Sequence, residues 1–149
     1  MRSLKYPSEF YILQGMSTIF TRIIKGEIPC YKIAENENFF AFLDINPLAK
    51  GHTLVVPKEE TDYLFDLSDD SIAGIAVFSK KIAHAIGKTV SCKRVGIAVL
   101  GLEVPHAHVH LIPIKEIGDI DFTKPKLKLT PQEFTDIAGK IRRNLSGLT

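Results

Sequence analysis

The sequence has only two cysteines, no long apolar run and no excess of charge of one sign. Cys30 and Cys92 are too far apart for a CxxC redox or metal-binding motif, which fits a reducing cytosol. No apolar run approaches the roughly 18 residues that a membrane-spanning helix requires. The net charge of +2 comes from interspersed basic and acidic residues, without the basic surface typical of nucleic-acid binding. These absences predict a cytoplasmic protein with neither a membrane nor a nucleic-acid partner.

The length and composition of the chain predict one domain. A chain of 149 residues, of which 45% are hydrophobic, can build one substantial core, and no internal repeat or low-complexity tract divides it. Met16 directly precedes the first helix-start signal, so residues 1–15 are interpreted as a loosely ordered extension or an upstream-start artefact. Residues 16–149 then form the domain. The basic run at residues 124–128 is interpreted as a solvated connector.

Hydrophobic periodicity and turn residues predict three helices and five strands. Ser17 or Thr18 can cap a short helix that Gly26 ends, Ser68 precedes a long helix, and Pro131 begins a C-terminal one. The helices are expected at residues 18–25, 71–89 and 131–145, and the strands at 31–35, 38–43, 52–56, 95–100 and 104–112. The fourth strand is expected to be buried and to pair with the fifth. Because strands and helices do not alternate strictly, we expect an α+β domain with a largely antiparallel five-stranded sheet.

Three of the five histidines lie at alternate positions in the segment VPHAHVHLI, residues 104–112. Successive side chains of a strand point to opposite faces of its sheet. We therefore expect His106, His108 and His110 on one face, and the apolar residues between them on the other face, against the core. One face of this strand would then be available for chemistry.

Spacing alone leaves three interpretations of this histidine-rich face. An exposed face without a function is disfavoured, because neighbouring imidazoles make a poor strand surface. Histidine is the commonest ligand of transition metals, but residues at i and i+4 of one strand are about 13 Å apart, which is awkward for a single ion. A phosphate-handling site fits strand geometry better, with one imidazole as nucleophile and its neighbours as hydrogen-bond donors.

Four segments, in order, resemble the histidine-triad (HIT) superfamily, and specifically its small nucleotide-binding and hydrolase branch. They are Ile19-Phe20 with residues 25–29, residues 42–47, residues 51–58, and the histidine segment 106–112. The resemblance covers residues 17–114 and implies a HIT-like fold. It also implies a homodimer in which two sheets join into one continuous sheet.

The resemblance implies a nucleotide hydrolase or transferase, for which we expect no metal or other cofactor. His108 matches the nucleophile of the family, which attacks an α-phosphate and forms a nucleotidyl-histidine intermediate that water hydrolyses to a nucleoside monophosphate. His110 and His52 match positions that contact the phosphate, and His106 matches a supporting position. The implied substrates are nucleoside 5′-phosphoramidates, nucleotidyl-lysine adducts or dinucleoside polyphosphates, with purine nucleotides favoured.

The same resemblance assigns residues to the nucleotide. Asp44 matches the ribose-binding acid, and Gly101 would allow close approach of the backbone to a phosphate. The apolar residues that match the base pocket are Ile19, Phe20, Ile23, Ile28, Phe42 and Ile45. Without the resemblance, Asp44 could equally cap the turn before Pro47, and the helix residues could simply pack on the core.

The segment before the histidines departs from the family pattern. Related proteins often carry an Asn one strand back and a Gly-Gln-Ser or Gly-Gln-Thr run here, which bind the phosphate and help the leaving group. This chain has Val95 near the Asn position and Gly101-Leu102-Glu103-Val104-Pro105 in place of the run. Glu103 would repel a nearby phosphate unless it turns outward or acts as a protonated acid. A nucleotide-binding interaction module with little turnover is therefore an alternative, and a metal-binding protein is another.

Overall fold

A computed structural model describes residues 17–145 of the chain. Its helices are α1 (Ile19–Ile24), α2 (Asp69–Thr89) and α3 (Pro131–Leu145), and its strands are β1 (Lys32–Glu35), β2 (Phe39–Leu43), β3 (Thr53–Pro57), β4 (Arg94–Ala98) and β5 (Val109–Ile114). The strands form one antiparallel sheet in the order β1-β2-β3-β5-β4. The predicted α+β class, the five-stranded antiparallel sheet and the three helices are confirmed. The predicted extension, residues 1–15, lies outside the described residues.

Side-chain caps begin all three helices where the sequence predicts them. The hydroxyls of Thr18 and Ser68 each accept an N–H from the first turn of α1 and of α2. At α3, Thr130 and Glu133 form a reciprocal pair in which each side chain accepts the other residue's N–H. Gly26, with a φ of +78°, follows the end of α1. None of the helices within residues 17–145 is long and apolar enough to span a bilayer.

The sheet is covered on both faces. On one face, α2 and α3 bury a large apolar cluster against the strands. On the other face, α1 buries Phe20 against Phe42 and Leu54. Because β2 and β3 lie inside the sheet and both faces are covered, every residue of these two strands is buried. His110 pairs with Leu54 across the β3–β5 ladder, so its side chain lies on the face that α1 covers.

β5 begins at Val109, so the prediction that all three histidines lie on one regular strand is wrong. Only His110 belongs to the strand, whereas His106 and His108 lie in the irregular segment before it. Pro105 has no N–H to donate to a ladder. The next two amide groups donate to carbonyl oxygens outside the β3–β5 ladder. The backbone of this segment is therefore held by contacts other than sheet pairing.

β4 is an edge strand, so the prediction of a buried strand over residues 95–100 is wrong, although its pairing with β5 is confirmed. β4 ends at Ala98 and pairs only with β5. The side chains of Ile97 and Leu100 are 61% and 46% exposed, and Leu102 is 87% exposed. The apolar run thus forms an exposed edge of the sheet rather than an interior strand.

Candidate functional site

Four histidines come together on the side of the sheet that α1 covers. His52 directly precedes β3, His110 lies in β5, and His106 and His108 lie in the segment that leads into β5. All four side chains are buried. The ring centroids of His108 and His110 are 5.0 Å apart, and those of His52 and His110 are 5.2 Å apart. The structure thus brings together the four histidines that the resemblance singles out.

The backbone fixes which nitrogen of His108 carries the proton. His108 Nδ1 lies 2.7 Å from the carbonyl oxygen of His106, which can only accept a hydrogen bond. A neutral His108 therefore carries its proton on Nδ1 and its lone pair on Nε2. Within the described residues, Nε2 forms no hydrogen bond. An imidazole held in this way can act as a nucleophile through Nε2.

A second chain of hydrogen bonds fixes the protons of His52 and His110. Leu48 N–H donates to His52 Nδ1 at 3.0 Å, so a neutral His52 carries its proton on Nε2. His52 Nε2 lies 2.9 Å from His110 Nδ1 and donates to it. His110 must then carry its own proton on Nε2. This N–H can donate to an oxygen of a bound phosphate.

Burial lowers the pKa of all four imidazoles, because a charged ring would lose its hydration. For His52 and His110, burial together with the positive charges of Lys126 and neighbouring histidines lowers the pKa to about 3. The four histidines are therefore neutral near pH 7. Each neutral ring offers one N–H donor and one lone pair, as the hydrogen bonds of the cluster require.

His106 lies behind the other histidines and is held at both ring nitrogens. Its Nε2–H donates to Pro57 O at 2.7 Å, and its Nδ1 accepts the Thr18 hydroxyl at 2.6 Å. Glu60 in turn accepts the Thr18 N–H and the Thr21 hydroxyl. With both nitrogens occupied, His106 is suited to hold its backbone carbonyl toward His108. The sequence predicted Ser17 or Thr18 as the helix cap, and the structure selects Thr18. The sequence gave no signal for the bond from Thr18 to His106 or for Glu60.

Asp44 follows β2 and reaches both a turn and the histidine cluster. Its Oδ1 accepts the Asn46 N–H at 2.8 Å, as the turn-capping alternative predicts. Its Oδ2 lies 3.5 Å from His52 Nε2. Burial raises the pKa of Asp44 to about 6, against the opposing effects of the Asn46 N–H and Lys126. The carboxyl group is therefore ionised at neutral pH and can accept hydrogen bonds from hydroxyl groups.

The apolar residues assigned to the base pocket divide into buried and half-buried sets. The Phe20 ring lies edge-on to His106 and His108, at centroid distances of 5.7 and 5.2 Å. The buried set is Phe20, Ile23 and Phe42, and the half-buried set is Ile19, Ile28 and Ile45. Core packing accounts for the buried set, whereas the half-buried set retains surface that a base could cover.

The segment that departs from the family pattern faces partly outward. Gly101 has a φ of +73°, which favours glycine, and no atom lies within 4 Å of where a Cβ would stand. Leu102 and Glu103 are exposed, while Val104 is buried with the apolar cluster of α1. The negative charge of Glu103 still reaches the cluster, where it is one of the influences that raise the pKa of Asp44. This segment therefore offers backbone and negative charge rather than polar side chains.

Residues 121–127, here called the strap, fold over the histidine cluster, and the sequence gave no signal for this. The Phe122 ring lies 4.7 Å from the ring of His110 and 6.3 Å from that of His52. Lys126 is half-buried, and its positive charge lowers the pKa of both histidines. For Lys126, the interpretation of the basic run as a solvated connector is wrong. The lysine-rich composition of this run predicts solvent exposure for each of its lysines. Only the fold places Lys126 near the histidine cluster.

One group of side chains has the composition of a metal site. Asp44, His52 and His110 place potential ligand atoms within 4.8 Å of one another. However, the Leu48 N–H occupies His52 Nδ1, so His52 Nε2 carries a proton instead of a free lone pair. A metal ion at Nε2 would displace this proton and break the bond to Leu48. The hydrogen-bonded arrangement therefore fits a metal ion poorly.

Comparisons with known proteins agree with one another. A family model described as the HIT domain matches residues 25–117. A relative from Schizosaccharomyces pombe, named adenosine 5′-monophosphoramidase hnt1, is 39% identical over 129 residues, which cover 85% of this chain and 96% of the relative. An uncharacterized HIT-like protein from Methanocaldococcus jannaschii is 40% identical over 110 residues, which cover 71% and 84%. A solved structure of a zinc-bound histidine triad family protein from Mycobacterium smegmatis is similar with a TM-score of 0.76 and 31% identity, over 89% of this chain and 96% of that one.

Proposed function

Because this chain belongs to the HIT domain family, we propose that it is a nucleotide hydrolase that acts at the α-phosphate of its substrate. The observation that carries the proposal is the orientation of His108, whose Nδ1–H donates to His106 O and whose Nε2 is free to attack. The proposed substrates are nucleoside 5′-phosphoramidates, nucleotidyl-lysine adducts or dinucleoside polyphosphates. The name of the relative from S. pombe supports the first of these classes.

The proposed reaction has two steps. His108 Nε2 uses its lone pair to form a bond to the α-phosphorus, while the bond to the leaving group breaks and its electron pair departs with that group. The His110 Nε2–H donates to a phosphoryl oxygen and stabilises the added negative charge. Water then attacks the same phosphorus and loses a proton to solvent, the electron pair of the broken bond returns to His108 Nε2, and a nucleoside monophosphate is released. These residues provide nucleophile and donor, so the proposal includes no metal or cofactor.

The proposed nucleotide position follows from the groups around the histidines. Asp44, ionised at neutral pH, would accept hydrogen bonds from the two ribose hydroxyls. The half-buried apolar residues Ile19, Ile28 and Ile45 would contact the base, with Phe20, Ile23 and Phe42 behind them. An apolar wall beside a few polar groups is the usual composition of a small-molecule site. A purine offers the larger surface for this wall.

A homodimer is part of the proposal, with the sheets of two copies joined through β4. This strand leaves one row of backbone groups without a partner strand among residues 17–145. Its exposed apolar side chains would be covered by a second copy. An isologous interface of this kind is the commonest form of symmetric dimer.

Replacement of the proposed nucleophile tests the function directly. We expect His108→Ala to lower the hydrolysis of adenosine 5′-phosphoramidate by more than about a thousandfold, because no other group supplies the attacking nitrogen. Binding of AMP, measured by calorimetry, should remain detectable. During turnover, intact-protein mass spectrometry should detect a nucleotide adduct on the wild-type chain and none on the variant. His84→Ala is the matched control, since His84 is exposed on α2; unchanged turnover in His108→Ala would contradict the proposal.

A nucleotide-binding module with little turnover is the second candidate. It is favoured by the exposed Leu102 and Glu103, which offer no hydroxyl or amide to assist a leaving group. This candidate predicts micromolar binding of AMP and no hydrolysis of any member of a panel of phosphoramidates, nucleotidyl-lysine adducts and dinucleoside polyphosphates. Efficient hydrolysis of one panel member excludes it.

A further inference from the structure

Main-chain groups hold the ammonium of Lys126 in place. Its Nζ donates to Phe122 O at 2.6 Å and to Lys124 O at 3.1 Å. The next residue, Leu127, donates its N–H to Pro47 O at 2.8 Å. This bond ties the strap to the loop between β2 and β3, which carries Asp44 and His52. The ammonium therefore has a defined position, 5.9 Å from the centre of the Phe122 ring, and that ring packs against His110.

Lys126 forms no direct ion pair within residues 17–145, although Asp44 and Asp121 lie near enough for its positive charge to lower their pKa. No carboxylate of this range forms an ion pair with its ammonium. The two carbonyl bonds use two of the three N–H donors of an ammonium, so one donor remains. The charge also lowers the pKa of Asp44, His52 and His110, in keeping with the position of Phe122 between the strap and His110. A charged donor of this kind is suited to bind an oxyanion.

The proposed reaction produces negative charge in two places. The first is on the phosphoryl oxygens, where the His110 Nε2–H can donate. The second is on the leaving group, but only when that group departs as an anion. The exposed segment at residues 101–103 offers no cation for it, and Glu103 adds a negative charge there. The strap supplies the only lysine or arginine among the described residues whose charge shifts the pKa of the site histidines.

We propose that Lys126 binds the departing phosphate of substrates in which the α-phosphate is linked through oxygen to further phosphate. This inference rests on the proposed function. As the bond from His108 Nε2 to the α-phosphorus forms, the bond to the bridging oxygen breaks, and its electron pair stays on that oxygen. The ammonium stabilises the resulting phosphate anion, and no proton needs to move. A phosphoramidate differs, because its nitrogen takes a proton from solvent water as the bond to phosphorus breaks and leaves as a neutral amine, which a fixed positive charge does not stabilise.

Two substrates and three variants test this assignment. For Lys126→Met, we expect kcat/KM for diadenosine triphosphate to fall about 10- to 100-fold, the range of one charged hydrogen bond, while kcat/KM for adenosine 5′-phosphoramidate changes less than about threefold. Lys126→Arg keeps the charge and should retain most of the activity on diadenosine triphosphate. Lys128→Met removes an exposed charge of the same run and should change neither substrate. Binding of ADP should weaken in Lys126→Met, while binding of AMP should not.

Failure of this inference is distinguishable from failure of the proposed function. If the wild-type chain hydrolyses both substrates and Lys126→Met slows them equally, Lys126 does not select the leaving group and the inference is overturned. A larger loss of kcat/KM with the phosphoramidate would also overturn the inference, because Lys126 would then assist departure of the amine. If the wild-type chain hydrolyses neither of these substrates nor a nucleotidyl-lysine adduct, the proposed function is wrong. In that case, binding of ADP and AMP to the wild type and to Lys126→Met still tests whether Lys126 binds the additional phosphate. Equal losses of affinity for ADP and AMP in Lys126→Met would reject the inference.

Discussion

At the scale of single residues, the site is defined by where its protons lie. The alternate spacing indicated His106, His108 and His110, the family resemblance added His52, and these four side chains do meet. The sequence could not indicate which ring nitrogen carries the proton, because this depends on Pro57 O, His106 O and Leu48 N–H. One of these groups, Pro57 O, lies 49 residues along the chain from the histidine that it holds. A pattern of side chains carries no information about such main-chain partners.

Thr18 offers a test of this arrangement, because one hydroxyl both caps α1 and donates to His106. We expect Thr18→Val to lower the free energy of unfolding by about 2 kcal/mol, since a helix cap is lost and a buried acceptor is left without a donor. We also expect a lower kcat, because His106 would no longer be held in one orientation. Thr18→Ser keeps the hydroxyl and should resemble the wild type. Urea unfolding and nitrogen NMR of the histidine rings provide the measurements; equal behaviour of the two variants would contradict the role of the hydroxyl.

At the scale of elements, the helices were more predictable than the strands. Caps and apolar spacing identified the start of α2 and α3, because both signals are local in sequence. The apolar run that contains β4 looked like an interior strand, since interior and edge strands can carry the same short apolar run. The strap had no periodicity at all, and its position depends on contacts with Pro47 and the histidine cluster.

The exposed edge of β4 makes the proposed dimer testable. We expect the wild-type chain to be a dimer at micromolar concentration and Ile97→Glu to be a monomer, because a charge would be buried at the joined edge. Ile117→Glu is the matched control, since Ile117 is 92% exposed and lies outside β4. Sedimentation equilibrium gives the mass of each form. A monomeric wild type, or a dimeric Ile97→Glu, would reject the proposed interface.

At the scale of the whole molecule, the buried histidines of the site lower the free energy of unfolding in acid. The folded pKa of His52 and His110 is about 3, below their ordinary value of 6.5. As the pH falls below 6.5, the unfolded chain therefore binds protons that the folded chain does not, and stability is lost until the pH approaches 3. Asp44 acts in the opposite sense, because its raised pKa of about 6 lets the folded chain bind a proton before the unfolded one.

We expect this balance to destabilise the protein between pH 7 and pH 5. Each of the two histidines contributes a loss of about 2 kcal/mol at pH 5, and Asp44 offsets roughly 1 kcal/mol of the sum. Between pH 7 and pH 5, Asp44→Asn should therefore lose more free energy of unfolding than the wild type, while His84→Asn should lose the same amount as the wild type. Urea midpoints at both pH values measure the effect. A midpoint that does not change with pH would show that the buried histidines do not remain neutral.

The hydrogen bond from Leu48 N–H to His52 gives the histidine pair a direction. A peptide group, and not a side chain, decides that protons point from His52 through His110 toward the proposed phosphate position. Ordinary substitutions at position 48 keep that peptide group, and only proline removes its N–H. The direction of the hydrogen bond between His52 and His110 is therefore fixed by the backbone, and most side-chain substitutions leave it unchanged.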